Sequence, residues 1–260
     1  MTALVTGGAS GIGREVVGLL RDAGHDVVVW DLADADIVCD VSDPDAVSAA
    51  MEQTVREHGV PTRVVTSAAI GSSGTSGLIL KQAPADWQRV LNINLTGTWL
   101  TLRAAAQAMV DAEVEGSIVA VSSISGTVAD RDMGAYCVSK AGVDMLVKVA
   151  AAEWGTYGIR VNAVGPGVTL TPMLPDPGVW PGWVDGIAKR TALGRVGEAI
   201  DVAGAIVGVL ELPWVTGQVV HADGGLALHS PIDAYGQLEK LMRLKRLREL
   251  KDQKEKANNA

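Results

Sequence analysis

Thr6–Gly13 reads TGGASGIG, with glycines at 7, 11 and 13. An apolar, strand-like segment, Ala3–Thr6, precedes it, and an amphipathic run from Gly13 to Ala23 follows. Glycines between a strand and a helix let the backbone turn tightly and approach a pyrophosphate. The helix N-terminus then offers that anion unpaired N–H groups and a partial positive charge. Gly7, Ser10, Gly11, Ile12 and Gly13 are the residues expected to meet a dinucleotide, and the chain is expected to be an α/β fold.

Outward from this turn, Val27–Trp30 reads as a second buried strand, and Asp31 ends it at position 18 after Gly13. An acidic residue near that spacing hydrogen-bonds an adenosine ribose. It welcomes the 2′-hydroxyl of NAD and repels the 2′-phosphate of NADP, and neither Ser10 nor Leu32 is a cation that would offset the repulsion. A third strand, Ile37–Cys39, follows after only five residues. Parallel neighbours normally need a longer crossover, but five extended residues reach about 16–18 Å. The helix usual at this place is therefore expected to be missing. Asp40 and Val41 end strand three, placed to meet an adenine edge.

Asp43–Gly59 reads as a helix with Asp43 as N-cap and Pro44 in its first turn. Arg63–Ser67 is strand four, Gly71–Gly77 a flexible loop of the kind that moves over a site, and Ala85 to about Asp111 one long helix holding Asn94. An amide within the apolar stretch Val90–Leu95 is expensive to bury without partners. Strand five, Ser117–Ser122, leads to Ser123 at the carboxyl edge, where open α/β sheets bind ligands. The next helix, Tyr136–Trp154, opens with Tyr136 and, four residues on, Lys140. Residues i and i+4 share a helix face, and an ammonium near a phenol lowers its ordinary pKa of about 10 towards the useful range. Alone, the pair also fits a half-buried tyrosine beside a solvated lysine. Strand six, Arg160–Val164, is expected to break at Gly165-Pro166-Gly167, and Thr169–Thr191 to form a lid or substrate wall with Met173, Leu174, Trp180 and Trp183. Core packing is the alternative for those tryptophans. A helix at Ile200–Leu210 and a last strand at Gln218–His221 complete the pattern.

The chain's 260 residues, 48% apolar with 30 glycines and no phenylalanine, suit one large α/β domain whose core is built from tryptophan, leucine and valine. Two cysteines, Cys39 and Cys137, are expected as free thiols. No secretory leader and no apolar run long enough to span a membrane are recognised, so a cytoplasmic protein is expected. The net charge of −8 divides into +4 over Glu239–Lys256 and −12 elsewhere. An acidic body argues against nucleic acid as a partner. In the tail, leucines recur every third residue from Leu238 to Leu250. Their stripe spirals around a helix, which allows a short amphipathic stretch but no long coiled coil.

Taken in order, TGGASGIG, Asp40-Val41, NINLTG with Asn94, Ser123, YCVSK at 136–140, PGVTLT at 166–171 and VTGQVVHADGG at 215–225 resemble the short-chain dehydrogenase/reductase family from Met1 to about Leu228. The resemblance implies a Rossmann-like, doubly wound seven-stranded parallel sheet with helices on both faces. This single domain at 1–228 would be followed by a basic helical tail at 229–260. Tyr136 would be the acid–base residue, Lys140 would lower its pKa and hold the nicotinamide ribose, Ser123 would bind the substrate oxygen, and Asn94 would anchor a water linking Lys140 to solvent. Ala68, Ala69, Pro166, Gly167 and Thr169 would line the cofactor, with Thr171 on its carboxamide. Ser125 would join Met173, Leu174, Trp180 and Trp183 at the substrate, and no metal is implied.

Two departures stand out: Thr66, Ser67, Ala68 and Ala69 replace the family's Asn-Asn-Ala-Gly, and the link after Asp31 is short. The short link is similar to that of bacterial 3α-hydroxysteroid dehydrogenases. The expected activity is NAD-dependent oxidation of an apolar, alicyclic, steroid- or terpenoid-like secondary alcohol, or reduction of the ketone. A 3-hydroxyacyl or 3-oxoacyl thioester substrate is the alternative among enzymes, and an NAD(H)-sensing binding protein the alternative outside them. The likeness implies a homotetramer, or a homodimer, built on the helices of Asn94 and Tyr136 and the last strand.

Overall fold

The computed structural model describes residues 1–71, 78–174, 181–228, 238–246 and 249. Residues 72–77 of the expected loop Gly71–Gly77, residues 175–180 of the expected wall Thr169–Thr191 with Trp180, and most of the tail lie outside the described residues. Strands β1 (Thr2–Thr6), β2 (Asp26–Asp31), β3 (Ile37–Val38), β4 (Arg63–Thr66), β5 (Gly116–Val121), β6 (Ile159–Pro166) and β9 (Val219–Ala222) form one seven-stranded sheet in the order β3-β2-β1-β4-β5-β6-β9. All neighbours run parallel. Two short strands, β7 (Thr169–Leu170) and β8 (Gly197–Glu198), pair separately. The order reverses between β1 and β4, the switch point at which such sheets bind ligands.

Alternation along the strands separates two cores. Leu4, Val28, Val64, Ile118 and Val161 point to one face, and α2 (Pro44–His58), α4 (Thr98–Asp111) and α5 (Gly134–Trp154) cover them with Val47, Leu102 and Val147. Val5, Val29, Val65, Val119 and Val164 point to the other, under α1 (Gly11–Asp22) and α7 (Ala199–Glu211) with Val16, Leu20 and Ile206. Valine and leucine carry this bulk. Among the described residues Trp30 is the fully buried tryptophan, its indole N–H donating to Thr54 Oγ1 at 3.0 Å.

The helix between strands two and three is missing, as expected. Ile37 pairs with Trp30 and Val38 with Asp31, so the link retraces only the end of β2. Asp36 seals it: its N–H donates to Val29 O, and its carboxylate accepts the Val29 N–H at 2.8 Å. Three expectations need correction. Strand three stops at Val38, and Asp40-Val41 follow it. The long helix at 85–111 is interrupted: α3 (Pro84–Leu91) gives way to a π-helical segment at Asn92–Gly97 before α4 begins. Finally, Gly165 and Pro166 continue β6 instead of breaking it. The Ala163 and Gly167 amides donate towards β9, so by alternation the proline position faces the β5 side. There β5 has ended at Val121, with Ser122 N–H donating to Val164 O at 2.8 Å, so the proline stands past the paired stretch.

Contacts divide the chain into a unit at Met1–Ala227 and another at Leu228–Ala260. In the second, residues 238–246 are helical. No helix among the described residues is long and apolar enough to cross a membrane.

Candidate active site

The glycine turn closes on itself. Gly7 adopts φ +68° and donates its N–H to Trp30 O at 2.8 Å. A Cβ there would stand 2.7 Å from Ala68 N, and one on Gly13 would stand 2.2 Å from Gly7 O, so neither position admits a side chain. Ser10 makes no side-chain cap, which leaves the first amides of α1 to an external acceptor. Asp31 is bound to this turn: Oδ2 accepts the Ala9 N–H at 3.1 Å and Oδ1 the Leu32 N–H at 2.8 Å. Gly11, at φ +52°, lies against Thr171, whose Cβ would be 3.5 Å from an added methyl. Two segments far apart in sequence, the glycine turn and the Pro166–Thr171 stretch, thus meet at Gly11 and Thr171. Gly167 presses on the Asp223 backbone, where a Cβ would meet Cα at 2.8 Å, and the Asp223 carboxylate ties down Gly225 and Ala227. Thr169 Oγ1 donates to Gly167 O at 3.0 Å. The cradle fits a dinucleotide: glycines where Cβ atoms would collide, open helix amides, and a carboxylate at the end of β2.

Asp40 is exposed, and its Oδ1 accepts both the N–H and the hydroxyl of Ser42 at 2.9 and 2.7 Å. Val41 is buried against Gly97 of the π segment, where a Cβ would be 2.9 Å from its Cγ2. Ala68 N–H donates to Thr6 Oγ1 at 3.3 Å.

The helix α5 carries Tyr136 and Lys140. The Ser123 side chain lies near enough to the Tyr136 phenol to pull its pKa down, and Lys140 Nζ lies 5.7 Å from the centre of the phenol ring. Lys140 is 3% exposed and donates to Val121 O at 2.8 Å. Burial pulls its ammonium down to about 8, against the opposing field of Asp144. The expected lowering of the phenol is not found. Burial pushes Tyr136 above its ordinary value, the nearby Ser123 side chain pulls it back, and the charges of Cys137 and Asp130 push it up again. Desolvation of the phenolate outweighs the stabilisation it receives.

Asn94 is held by the protein around it. Fully buried in the π segment, it accepts the Ile70 N–H at 2.8 Å and donates to Ile70 O at 2.9 Å and Ser139 Oγ at 3.2 Å. Its side-chain amide is thus spent on the protein, and Ser139 relays the clamp to Tyr136 O at 2.7 Å. Of the residues expected at the substrate, Ser125 is buried and donates to Asp130 Oδ2 at 2.8 Å. Met173 is exposed, and Leu174 and Trp183 are half-buried. Sequence reasoning missed Ser122, Asp130 and Asp144. Asp144 is buried and accepts the Ser122 hydroxyl; burial pushes its carboxyl up, and nearby His221, Lys148 and Lys140 oppose that. No cluster of potential metal ligands occurs among the described residues.

Comparison with known proteins agrees with this geometry. A family model described as enoyl-(acyl carrier protein) reductase matches residues 7–227. A (3R)-3-hydroxyacyl-CoA dehydrogenase from Canis lupus familiaris is 35% identical over 250 residues, covering 86% of this chain and 95% of that protein. A 3-alpha-(or 20-beta)-hydroxysteroid dehydrogenase from Mycobacterium bovis is 33% identical over 253 residues, covering 91% and 93%. Among solved structures, a short-chain type dehydrogenase/reductase from Mycobacterium marinum superposes with a TM-score of 0.81 at 30% identity, covering 88% of this chain and 96% of that one.

Proposed function

The chain belongs to the short-chain dehydrogenase/reductase family and is an oxidoreductase of CH–OH groups; from that premise we propose that it uses NAD to interconvert an apolar, alicyclic secondary alcohol and its ketone. The observation that carries the reading is the Lys140 ammonium 5.7 Å from the centre of the Tyr136 ring, with the Ser123 side chain near enough to the phenol to pull its pKa down.

Gly7, Ser10, Gly11, Ile12 and Gly13 would hold the pyrophosphate of NAD. Asp31 would take the adenosine ribose, Asp40, Val41, Ala68 and Ala69 would border the adenosine, and Pro166, Gly167, Thr169 and Thr171 would border the nicotinamide. NAD, when bound, supplies the hydride acceptor. Ser123 Oγ fixes the substrate oxygen, and Tyr136 Oη takes the alcohol proton when ionised to the phenolate, or gives its own proton to the ketone oxygen in the reverse direction. Lys140 keeps a positive charge beside the phenol and offers a ribose contact. Acid–base help of this kind contributes about 10²–10⁴-fold, and orientation supplies much of the remainder. Asp31 supports NAD over NADP because its carboxylate would face a 2′-phosphate at the turn.

The hydroxysteroid relative supports an alicyclic substrate. Asp130 is exposed, bonded to Ser125 and close enough to raise the phenol, which disfavours an anionic group at that mouth. The hydroxyacyl-CoA relative favours a second reading, a 3-hydroxyacyl thioester. Both cysteines are free, which fits a reducing, cytoplasmic setting. A homotetramer over the outer faces of α4 and α5 completes the reading.

The test is NADH formation with cyclic alcohols, steroids and 3-hydroxyacyl thioesters. Tyr136→Phe should lower kcat by at least roughly 10²-fold while NAD binding, followed by fluorescence, stays within a few-fold. Asp31→Ala should narrow the preference for NAD over NADP. Wild-type kcat in Tyr136→Phe would remove the tyrosine from the chemistry, and an unchanged cofactor ratio would remove Asp31 from the choice.

A further inference from the structure

Asp144 is a buried titratable group that the chemistry above leaves without a task. It lies on α5 one turn beyond Lys140 and two beyond Tyr136, so all three fall on one side of the helix. It is 6% exposed. Oδ1 accepts the Ser122 hydroxyl. Oδ2 has no hydrogen-bond partner, and a Cβ on Gly126 would stand 2.5 Å from it. The carboxylate therefore touches both ends of Ser122–Gly126, and that segment carries Ser123, whose Oγ accepts the Ser125 N–H at 3.1 Å.

A buried carboxylate with one oxygen unbonded is destabilising unless a charge compensates it. The charged and titratable groups facing it are Lys140 and Lys148 on α5 and His221 on β9. Of these, Lys140 is the buried one, and Asp144 is the group that opposes the downward pull of burial on its ammonium.

We propose that Asp144 is a positioning residue: its carboxylate braces the Ser122–Gly126 segment that presents Ser123 to Tyr136, and it supplies the negative charge that keeps the enclosed Lys140 protonated. The proposal rests on the catalytic reading above and extends it to a residue that touches neither substrate nor cofactor. Two separable consequences follow, because the brace needs an acceptor for Ser122 and the counter-charge needs a carboxylate.

Asp144→Asn keeps an oxygen for Ser122 and removes the charge. With the best alcohol of the panel, the alkaline fall of kcat/KM should move to lower pH by roughly one unit, with KM for NAD unchanged. Ser122→Ala removes the bond and keeps the charge, so kcat should fall about tenfold with the alkaline limb in place. A readout independent of turnover is the pH dependence of Lys140 acetylation by trace acetic anhydride, followed by peptide mass spectrometry. Its midpoint should drop in Asp144→Asn and stay in Ser122→Ala, whether or not any alcohol is turned over. An unmoved labelling midpoint in Asp144→Asn overturns the counter-charge, and wild-type kcat in Ser122→Ala overturns the brace. If the wild type oxidises no member of the panel while the midpoint still moves, the catalytic reading fails and the coupling of Asp144 to Lys140 stands.

Discussion

Lys140 shows at the scale of one residue how the site is set against the stability of the fold. An ammonium with 3% exposure and one carbonyl partner keeps its proton less firmly than a free lysine, falling from 10.5 to about 8. Between those values the unfolded chain binds one proton more than the folded one, so wild-type stability gains from this group as pH rises. Below about 8 both states are protonated and the whole penalty of burial is present. The unfolding free energy of the wild type minus that of Lys140→Met should therefore climb as pH is raised through 8 towards 10.5, by up to about 3 kcal/mol. Urea unfolding at a series of pH values measures this, and a flat difference would mean that the ammonium is not desolvated. Tyr136, Lys140 and Ser123 could be found in the sequence because their residue types are chemically unusual at those places. Asp144 could not, since an aspartate one turn past a lysine on a helix reads as a solvated ion pair. Only the packing of Ser122 and Gly126 over it shows otherwise.

At the scale of elements, the π segment Asn92–Gly97 decides what Asn94 can do. One residue extra in the turn rotates the helix, and such bulges recur at functional sites. The Asn94 amide then joins three pieces: the chain after β4 at Ile70, the segment itself, and Ser139 on α5. Asn94→Ala deletes these bonds and leaves the half-buried Ile70 N–H and C=O without this partner, which should lower stability by roughly 1–3 kcal/mol. Asn94→Asp should fare no better, because an ionised carboxylate cannot donate to Ile70 O or Ser139. Chemical denaturation of both variants is the check, and stability within roughly 0.5 kcal/mol of wild type would show that water replaces the amide without penalty. The segment was hidden in the sequence because NINLTG continues the helical hydrophobic pattern on both sides. The missing helix after β2, by contrast, was legible from chain length alone, since a five-residue link holds no crossover helix. The course of β6 through Pro166 was not, because it depends on where the neighbouring strand stops.

At the scale of the molecule, the outer faces of the helices that carry the site remain apolar. Trp99 on α4 is 42% exposed, and Val138, Met145 and Val149 on α5 are 47, 58 and 47% exposed. Their spacing of seven and then four residues puts the three α5 side chains on one stripe, opposite the buried stripe of Lys140, Val143, Asp144 and Val147. A clustered apolar face of this kind marks an association surface more often than chance exposure does. It belongs to the same helix turns that position Tyr136 and Lys140, with Val138 lying between them in sequence. If a second chain covers this face, it stiffens the first turns of α5, and assembly and turnover are linked. Light scattering should then give a mass of about four 27.0 kDa chains. Met145→Glu, which puts a charge at the centre of the stripe, should reduce that mass and lower kcat while the folded core, judged by circular dichroism, is kept. A dissociated variant with wild-type kcat would show that α5 is rigid on its own, and a wild type that elutes as a monomer would leave the exposed stripe without an occupant. The fold of each chain would then suffice to hold phenol, ammonium and hydroxyl together.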